Sequence, residues 1–321
     1  MKRNPEIERI SDDAQQRHRY FFGATPNQKR AMRKRWLAHE YVRLHPNIYT
    51  KNEYYQTLNP QERAMHLIRT LATKFPQKVF GAMSAALVLG LECPWYNAAL
   101  EHAQIATEES IPKHMQGVIE KIYVHPLTFV VHDGIRVTPP ERTLVDCALR
   151  YSYNQSLGVF DSALRAGIVN KQKIAETCSS LHRDCSPVQK LLHDVDGKSE
   201  NGGESLCRSV ILEAGFARPE LQHEFRDPAN LRHTFRTDFL WVCNRKVVVL
   251  EYDGMQKYTD QHMTNGHDTR QVVYKERKRE EALRRAGVTS ILRTDYEEVM
   301  QPRSLIQKLI NSGVPMSHNP R

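Results

Sequence analysis

A chain of 321 residues is long enough for about two domains, and 40% hydrophobic with 26% charged residues is a globular balance, which excludes collagen-like, low-complexity and wholly disordered classes. The longest apolar run, Ala82 to Leu91, falls far short of the roughly 20 residues that cross a bilayer, and the charged start Met1-Lys2-Arg3-Asn4-Pro5-Glu6 lacks the apolar core of a secretory signal, so a cytoplasmic protein with no membrane partner is expected. A net charge of +9 draws the chain toward polyanions, nucleic acid first.

The basic excess starts early. Residues 1–50 hold eleven Lys or Arg against five Asp or Glu. Thr25-Pro26 is an N-cap with proline at the first helical position, and the helix it opens puts Lys29, Arg30, Arg33 and Lys34 on one flank and Met32 and Trp36 on another. Leu37 falls on the basic flank, which ends the helix near there. Tyr41 to Thr50 alternates around Pro46-Asn47 and predicts a hairpin that carries Arg43. A basic helix followed by a basic hairpin outlines a winged helix-turn-helix over residues 1–58, with the helix in the DNA groove and the wing on the phosphates.

Residues 59–193 form an α+β region. Asn59-Pro60-Gln61-Glu62 starts a helix with the stripe Met65, Ile68, Leu71, Ala72 and Phe75, and the small apolar run near residue 85 predicts a buried helix. Strands are expected at Val118 to Val124, Phe129 to Val131 and Ile135 to Val137 around Asp133-Gly134. Thr138-Pro139-Pro140-Glu141 then has the pattern of a capping box ahead of a helix with Leu144, Val145, Ala148 and Leu149. The six cysteines show no Cys-x-x-Cys pair and are expected as reduced thiols. Cys178, His182, Cys185 and His193 match no familiar zinc spacing, so structural zinc is not expected. Residues 194–203 are polar and glycine-rich and predict a linker.

Residues 204–312 carry the chemistry. Glu204 lies in the first turn of a helix that buries Leu206, Val210 and Ile211 and stops at Gly215. Two apolar runs, His233 to Val242 and Val247 to Tyr252, flank Cys243-Asn244-Arg245-Lys246. A hairpin centred between Asn244 and Arg245 sets Asp238 opposite Glu251, and period-two alternation puts Asp253 on the same face. Phe239, Trp241, Val248 and Leu250 take one face and Leu240, Val242, Val247 and Val249 the other, the pattern of a buried strand pair. Carboxylates crowded at the end of such a pair repel, and a divalent cation, Mg²⁺ or Mn²⁺, removes the conflict. A basic helix with Arg270, Lys275, Arg277 and Lys278 follows, and then a strand from Val288 to Arg293.

Glu204-Ser205, Asp238-Phe239-Leu240-Trp241, Glu251-Tyr252-Asp253-Gly254 with Lys257-Tyr258, Arg279-Glu280 before Leu283, and Arg293 resemble the very-short-patch-repair-endonuclease-like branch of the PD-(D/E)XK nuclease superfamily, over residues 200 to about 300. The resemblance implies a restriction-endonuclease-like mixed sheet flanked by helices. It makes Asp238 and Glu251 metal ligands with Glu204 as supporting acid, and it implies a Mg²⁺- or Mn²⁺-dependent endonuclease; the period-two alternation adds Asp253 to the expected metal ligands. The superfamily lysine belongs two residues after Glu251, where this chain has Asp253. Lys257 and His262 are the nearby candidates for activating the water, and a silent nuclease fold kept for DNA binding is the alternative. Residues 15 to 175, through Arg43-Leu44-His45-Pro46-Asn47-Ile48-Tyr49 and Val137-Thr138-Pro139-Pro140-Glu141-Arg142-Thr143-Leu144-Val145-Asp146, resemble the abortive-infection type IV antitoxins (AbiEi). That implies a DNA-binding winged helix of the kind found in bacterial repressors, and leaves a cognate toxin or a second copy of the chain as open choices of partner.

Overall fold

The computed structural model describes residues 4–96, 98–109, 117–181, 183–243, 245–254 and 269–317. It is a mixed α/β protein whose contacts form two units, Met1–Val159 with Gly167–His193, and Phe160–Ala166 with Asp194–Arg321. No helix among the described residues is long and apolar enough to cross a membrane.

The first unit opens with helix α1 (Pro5–Gln16), which the sequence reading had not assigned, and α2 (Pro26–Leu37). The Thr25 cap is as expected: its hydroxyl accepts the Gln28 N–H, and the Gln28 side chain accepts from Thr25 in return. Strands β1 (Tyr41–His45) and β2 (Ile48–Lys51) make the expected hairpin. Asn47 turns it at φ 61°, a left-handed conformation that Asn tolerates, while its side chain both accepts from and donates to the Gly23 backbone. Phe21 adds a short bridge to Tyr49, and Ile7, Ala14, Phe21, Met32, Tyr41 and Tyr49 pack into one core with Trp36 at its edge.

Helix α3 (Asn52–Thr57) and helix α4 (Pro60–Lys74) follow, the latter with the Asn59–Glu62 reciprocal cap. The α4 stripe is displaced from the expected one. Ala64, Leu67, Ile68 and Leu71 are buried, whereas Phe75 is exposed, because the helix has turned its Ala64–Leu71 edge to the core. Strand β3 (Val79–Phe80), buried helix α5 (Ala82–Val88), β4 (Ala103–Thr107), β5 (Ile119–Tyr123), β6 (Val130–His132) and β7 (Ile135–Val137) build a five-stranded sheet ordered β5-β4-β3-β7-β6. Helices α6 (Pro140–Arg150), α7 (Tyr153–Arg165), α8 (Lys171–Ser179) and α9 (Ser186–Asp194) complete the run. The capping box expected at Thr138 does not form. Pro139 is the N-cap, so Thr138 lies one residue too early, and its buried hydroxyl pairs with Thr143 at 2.7 Å.

In the second unit the polar segment after Asp194 is built into the fold. Asp194, Val195 and Ser199 are buried, and the Asp196 N–H donates to Asp161 at 2.9 Å. Helix α10 (Gly202–Glu213) precedes a four-stranded mixed sheet ordered β11-β10-β9-β8, made of β8 (Glu220–Asp227), β9 (Asn230–Cys243), β10 (Lys246–Asp253) and β11 (Ser290–Asp295). Helix α11 (Thr269–Arg285) lays Leu283 against Leu240, Val249 and Phe225. On the opposite face Phe239, Val248 and Leu250 are fully buried. Val242, expected inside, is 72% exposed beside the hairpin turn. Short helices α12 (Tyr296–Met300) and α13 (Arg303–Ser312) end the unit.

Candidate functional site

The β9–β10 ladder has the expected register. Lys246 pairs with Cys243, and the pairing runs in step to Leu250 with Phe239. Asp238 and Glu251 are the next residues in line. There the Asp238 side chain takes over from the ladder, and its Oδ2 accepts the Tyr252 N–H at 2.7 Å. Period-two alternation sets both acids on the side of Leu240 and Val249.

Glu204 joins them from α10. A β-carbon on Gly203 would lie 2.7 Å from the Tyr252 hydroxyl oxygen, so only glycine lets the start of α10 approach β10 this closely. Glu204 is 5% exposed, with both carboxylate oxygens bonded. Its Oε1 accepts from the Asn201 amide at 2.7 Å, and its Oε2 accepts from the Glu200 N–H at 2.8 Å and the Gln222 amide at 3.0 Å. The same Gln222 nitrogen donates to Asp238 Oδ1 at 3.3 Å. Glu204, Asp238 and Glu251 thus form a chain of acids with Gln222 between the first two.

Burial dominates their electrostatics. Loss of solvent pushes the Glu204 carboxyl up to about 7, and nearby Asp238 adds to the rise against the Glu200 N–H. Asp238 and Glu251 are raised for the same first reason, tempered at Asp238 by the Tyr252 N–H and at Glu251 by Arg279. Arg279 Nη2 donates to Glu251 Oε1 at 2.6 Å and to the Arg236 carbonyl at 2.7 Å. Asp253 ends β10 opposite Asp295 of the parallel strand β11. Among the described residues no group of three or more His, Cys, Asp or Glu stands close enough to hold an ion together, so Asp253 is not gathered with Asp238 and Glu251 as the sequence pattern led one to expect.

Lys257 and His262 lie outside the described residues, as do the side chains of Arg270 and Lys275. Arg277 and Lys278 are exposed on α11, with Lys278 Nζ 4.5 Å from the Tyr274 ring centre. Arg293 is tied to Glu276 and Glu280, so it braces β11 to α11. In the first unit Lys29, Arg30, Arg33 and Lys34 are all exposed on α2, and exposed Arg43 rests over the Trp36 ring at 4.8 Å. Arg35 alone of that basic run is buried, 3.7 Å from Glu40. Cys178 and Cys185 are buried, the Cys185 thiol directed at the Cys178 carbonyl at 3.8 Å, and His182 lies outside the described residues.

Sequence reasoning missed Gln222, which gives no signal in Leu221-Gln222-His223, since its position depends on backbone conformation. Arg279 stood among the residues that carry the nuclease resemblance, but its pairing with Glu251 requires the fold.

No protein-family model matches the chain, and no solved structure matches it. It is similar to two uncharacterized proteins from two strains of Mycobacterium tuberculosis, CDC 1551 / Oshkosh and ATCC 25618 / H37Rv. Each is 27% identical over 125 residues, which is 38% of this chain. The match covers 45% of each relative's length, so it spans under half of those proteins.

Proposed function

We propose that this chain is a DNA-binding protein whose second unit is a Mg²⁺- or Mn²⁺-dependent endonuclease of restriction-endonuclease-like fold. The observation that carries the reading is the placement of Asp238 and Glu251 side by side at the end of a buried hairpin, with Glu204 bonded to Asp238 through Gln222. Like charges so close repel, and a cation shared by Asp238 and Glu251 would relieve that repulsion. The mixed sheet with a helix packed on the Leu240–Val249 face supports the fold. Bound by Asp238 and Glu251, the ion would polarise the scissile phosphate and lower the pKa of the attacking water. Asp238 stays oriented by the Tyr252 N–H and Gln222. With Glu251 holding an ion, Arg279 would be placed to offer its guanidinium to phosphate, and Arg277 and Lys278 would hold the DNA backbone. Incubation with plasmid, single-stranded and mismatched DNA tests this. Cleavage with Mg²⁺ or Mn²⁺ that stops with EDTA is expected, and no cleavage of any substrate contradicts it.

The first unit is read as a winged helix with α2 in the groove, supported by four exposed cations on one helix beside a hairpin. Each lost phosphate contact flattens the slope of log K against log salt by about 0.9. Arg33→Ala with Lys34→Ala is therefore expected to weaken DNA binding and to reduce that slope by about 1.8. A filter-binding titration at several salt concentrations checks it, and an unchanged slope rules out these contacts.

One observation favours a second reading, in which the chain is a non-catalytic regulator or antitoxin-like protein with a silent nuclease fold. Arg279 neutralises Glu251 without any ion. With Asp253 in the place of the superfamily lysine, that is what a retired site would keep.

A further inference from the structure

We infer that Gln222 is a positioning residue that couples Glu204 to Asp238, so that Glu204 serves the site through this amide and without touching ion or substrate. The inference rests on the endonuclease reading.

Three observations carry it. The first is the bonding itself. The NH₂ end of Gln222 faces both acids, donating to Glu204 Oε2 at 3.0 Å and to Asp238 Oδ1 at 3.3 Å. The second is that both oxygens of Glu204 are already engaged by the protein, Oε1 by the Asn201 amide and Oε2 by the Glu200 N–H as well as Gln222. The third is backbone strain. Gln222 has φ 54°, a left-handed conformation unusual for a side chain without a local hydrogen-bonding habit. It sits in mid-strand, where β8 pairs Leu221 with Phe239 and His223 with Thr237 and skips the pair between them. The strand gives up a ladder pair and accepts a disfavoured φ, and what it gains is an amide aimed at two acids. Strain held at one residue in this way marks a site where side-chain placement outweighs backbone comfort.

The consequence is an order of action. Asp238 has one oxygen fixed by the Tyr252 N–H and the other by Gln222, which sets its plane before any ligand arrives. Partners that orient a liganding carboxylate typically change metal affinity by 10–100-fold.

Titration of Mn²⁺ into the full chain by calorimetry, with melting curves in EDTA, tests the coupling. Glycine adopts positive φ without strain, so Gln222→Gly should melt at or above the wild-type temperature while binding Mn²⁺ about 10-fold more weakly. Gln222→Met, which keeps the bulk without the amide, carries the same expectation for affinity. Glu204→Gln should also weaken binding, and the Glu204→Gln/Gln222→Gly double variant should be no weaker than the worse single variant, because both break one chain. Unchanged Mn²⁺ affinity in Gln222→Gly and Gln222→Met, or fully additive losses in the double variant, overturns the coupling alone. A wild-type protein that binds no Mn²⁺ overturns the endonuclease reading beneath it.

Discussion

Asp161→Ala is expected to cost the second unit roughly 3–5 kcal/mol of folding free energy, the usual loss when one partner of a buried ion pair is removed. Arg208 is 1% exposed, and the Asp161 side chain is fully buried. Arg208 Nη2 reaches both Asp161 oxygens at 2.6 Å, while Nη1 bonds the Asp194 carbonyl. The same carboxylate accepts the Asp196 N–H. Alanine would leave a cation in a place that water does not reach, with a backbone donor unsatisfied beside it. Replacing both partners, as Asp161→Leu with Arg208→Met, should recover most of the loss, because the penalty comes from the unpaired charge. Urea unfolding of the three proteins measures this. A loss below about 1 kcal/mol for the single variant would mean that Arg208 finds another partner.

In metal-free buffer Glu204 is expected to contribute stability that is lost as pH rises from about 4.5 to about 7, against half-buried His45 and buried His66, whose lowered pKa values act the other way, and Glu204→Gln should remove that contribution. The Glu204 carboxyl is raised from 4.5 to about 7 in the folded chain, chiefly by burial. The folded state therefore holds a proton that the unfolded state releases near 4.5. The contribution is fully present below pH 4.5 and is gone once pH passes about 7, and the displacement corresponds to roughly 3 kcal/mol. Asp238 and Glu251, also raised, act in the same direction. The glutamine variant is less stable at low pH, since a neutral amide cannot accept from all three donors around Glu204, but it should no longer carry this loss across the window. Equal pH slopes for the two proteins would show that Glu204 stays ionised throughout.

The sequence made some of this legible because the rules involved are local. A hairpin centred between Asn244 and Arg245 set the register that brings Asp238 level with Glu251, and Thr25 and Asn59 announced their helices through caps that need only three residues. Thr138 misled because the helix begins at Pro140, one residue later than the pattern places it, which leaves Pro139 at the cap position with no side-chain bond. Strand β3 has two residues and β4 is the weak β-former Ala-Gln-Ile-Ala-Thr, so both depend on long-range pairing that no local pattern encodes. The polar run after Asp194 has the composition of a linker, yet buries three residues through contacts with the distant Phe160–Ala166 segment. The acids of the site were readable as a pattern. What holds them, Gln222 at a left-handed φ and Arg279 from the next helix, follows from backbone conformation and packing.

Thermal melts of wild type and Asp238→Asn, each with EDTA and with excess Mn²⁺, test the paired acids most directly. Wild type should gain about 2.7 kcal/mol at a free Mn²⁺ concentration 100 times its Kd. Asp238→Asn should gain nothing and cleave no DNA, while its EDTA melt stays close to wild type, because relief of crowding offsets the weakened hydrogen bonds to Tyr252 and Gln222. A wild type that gains nothing from Mn²⁺, with Asp238→Asn melting lower in both buffers, would make Asp238 a structural carboxylate and contradict the metal site.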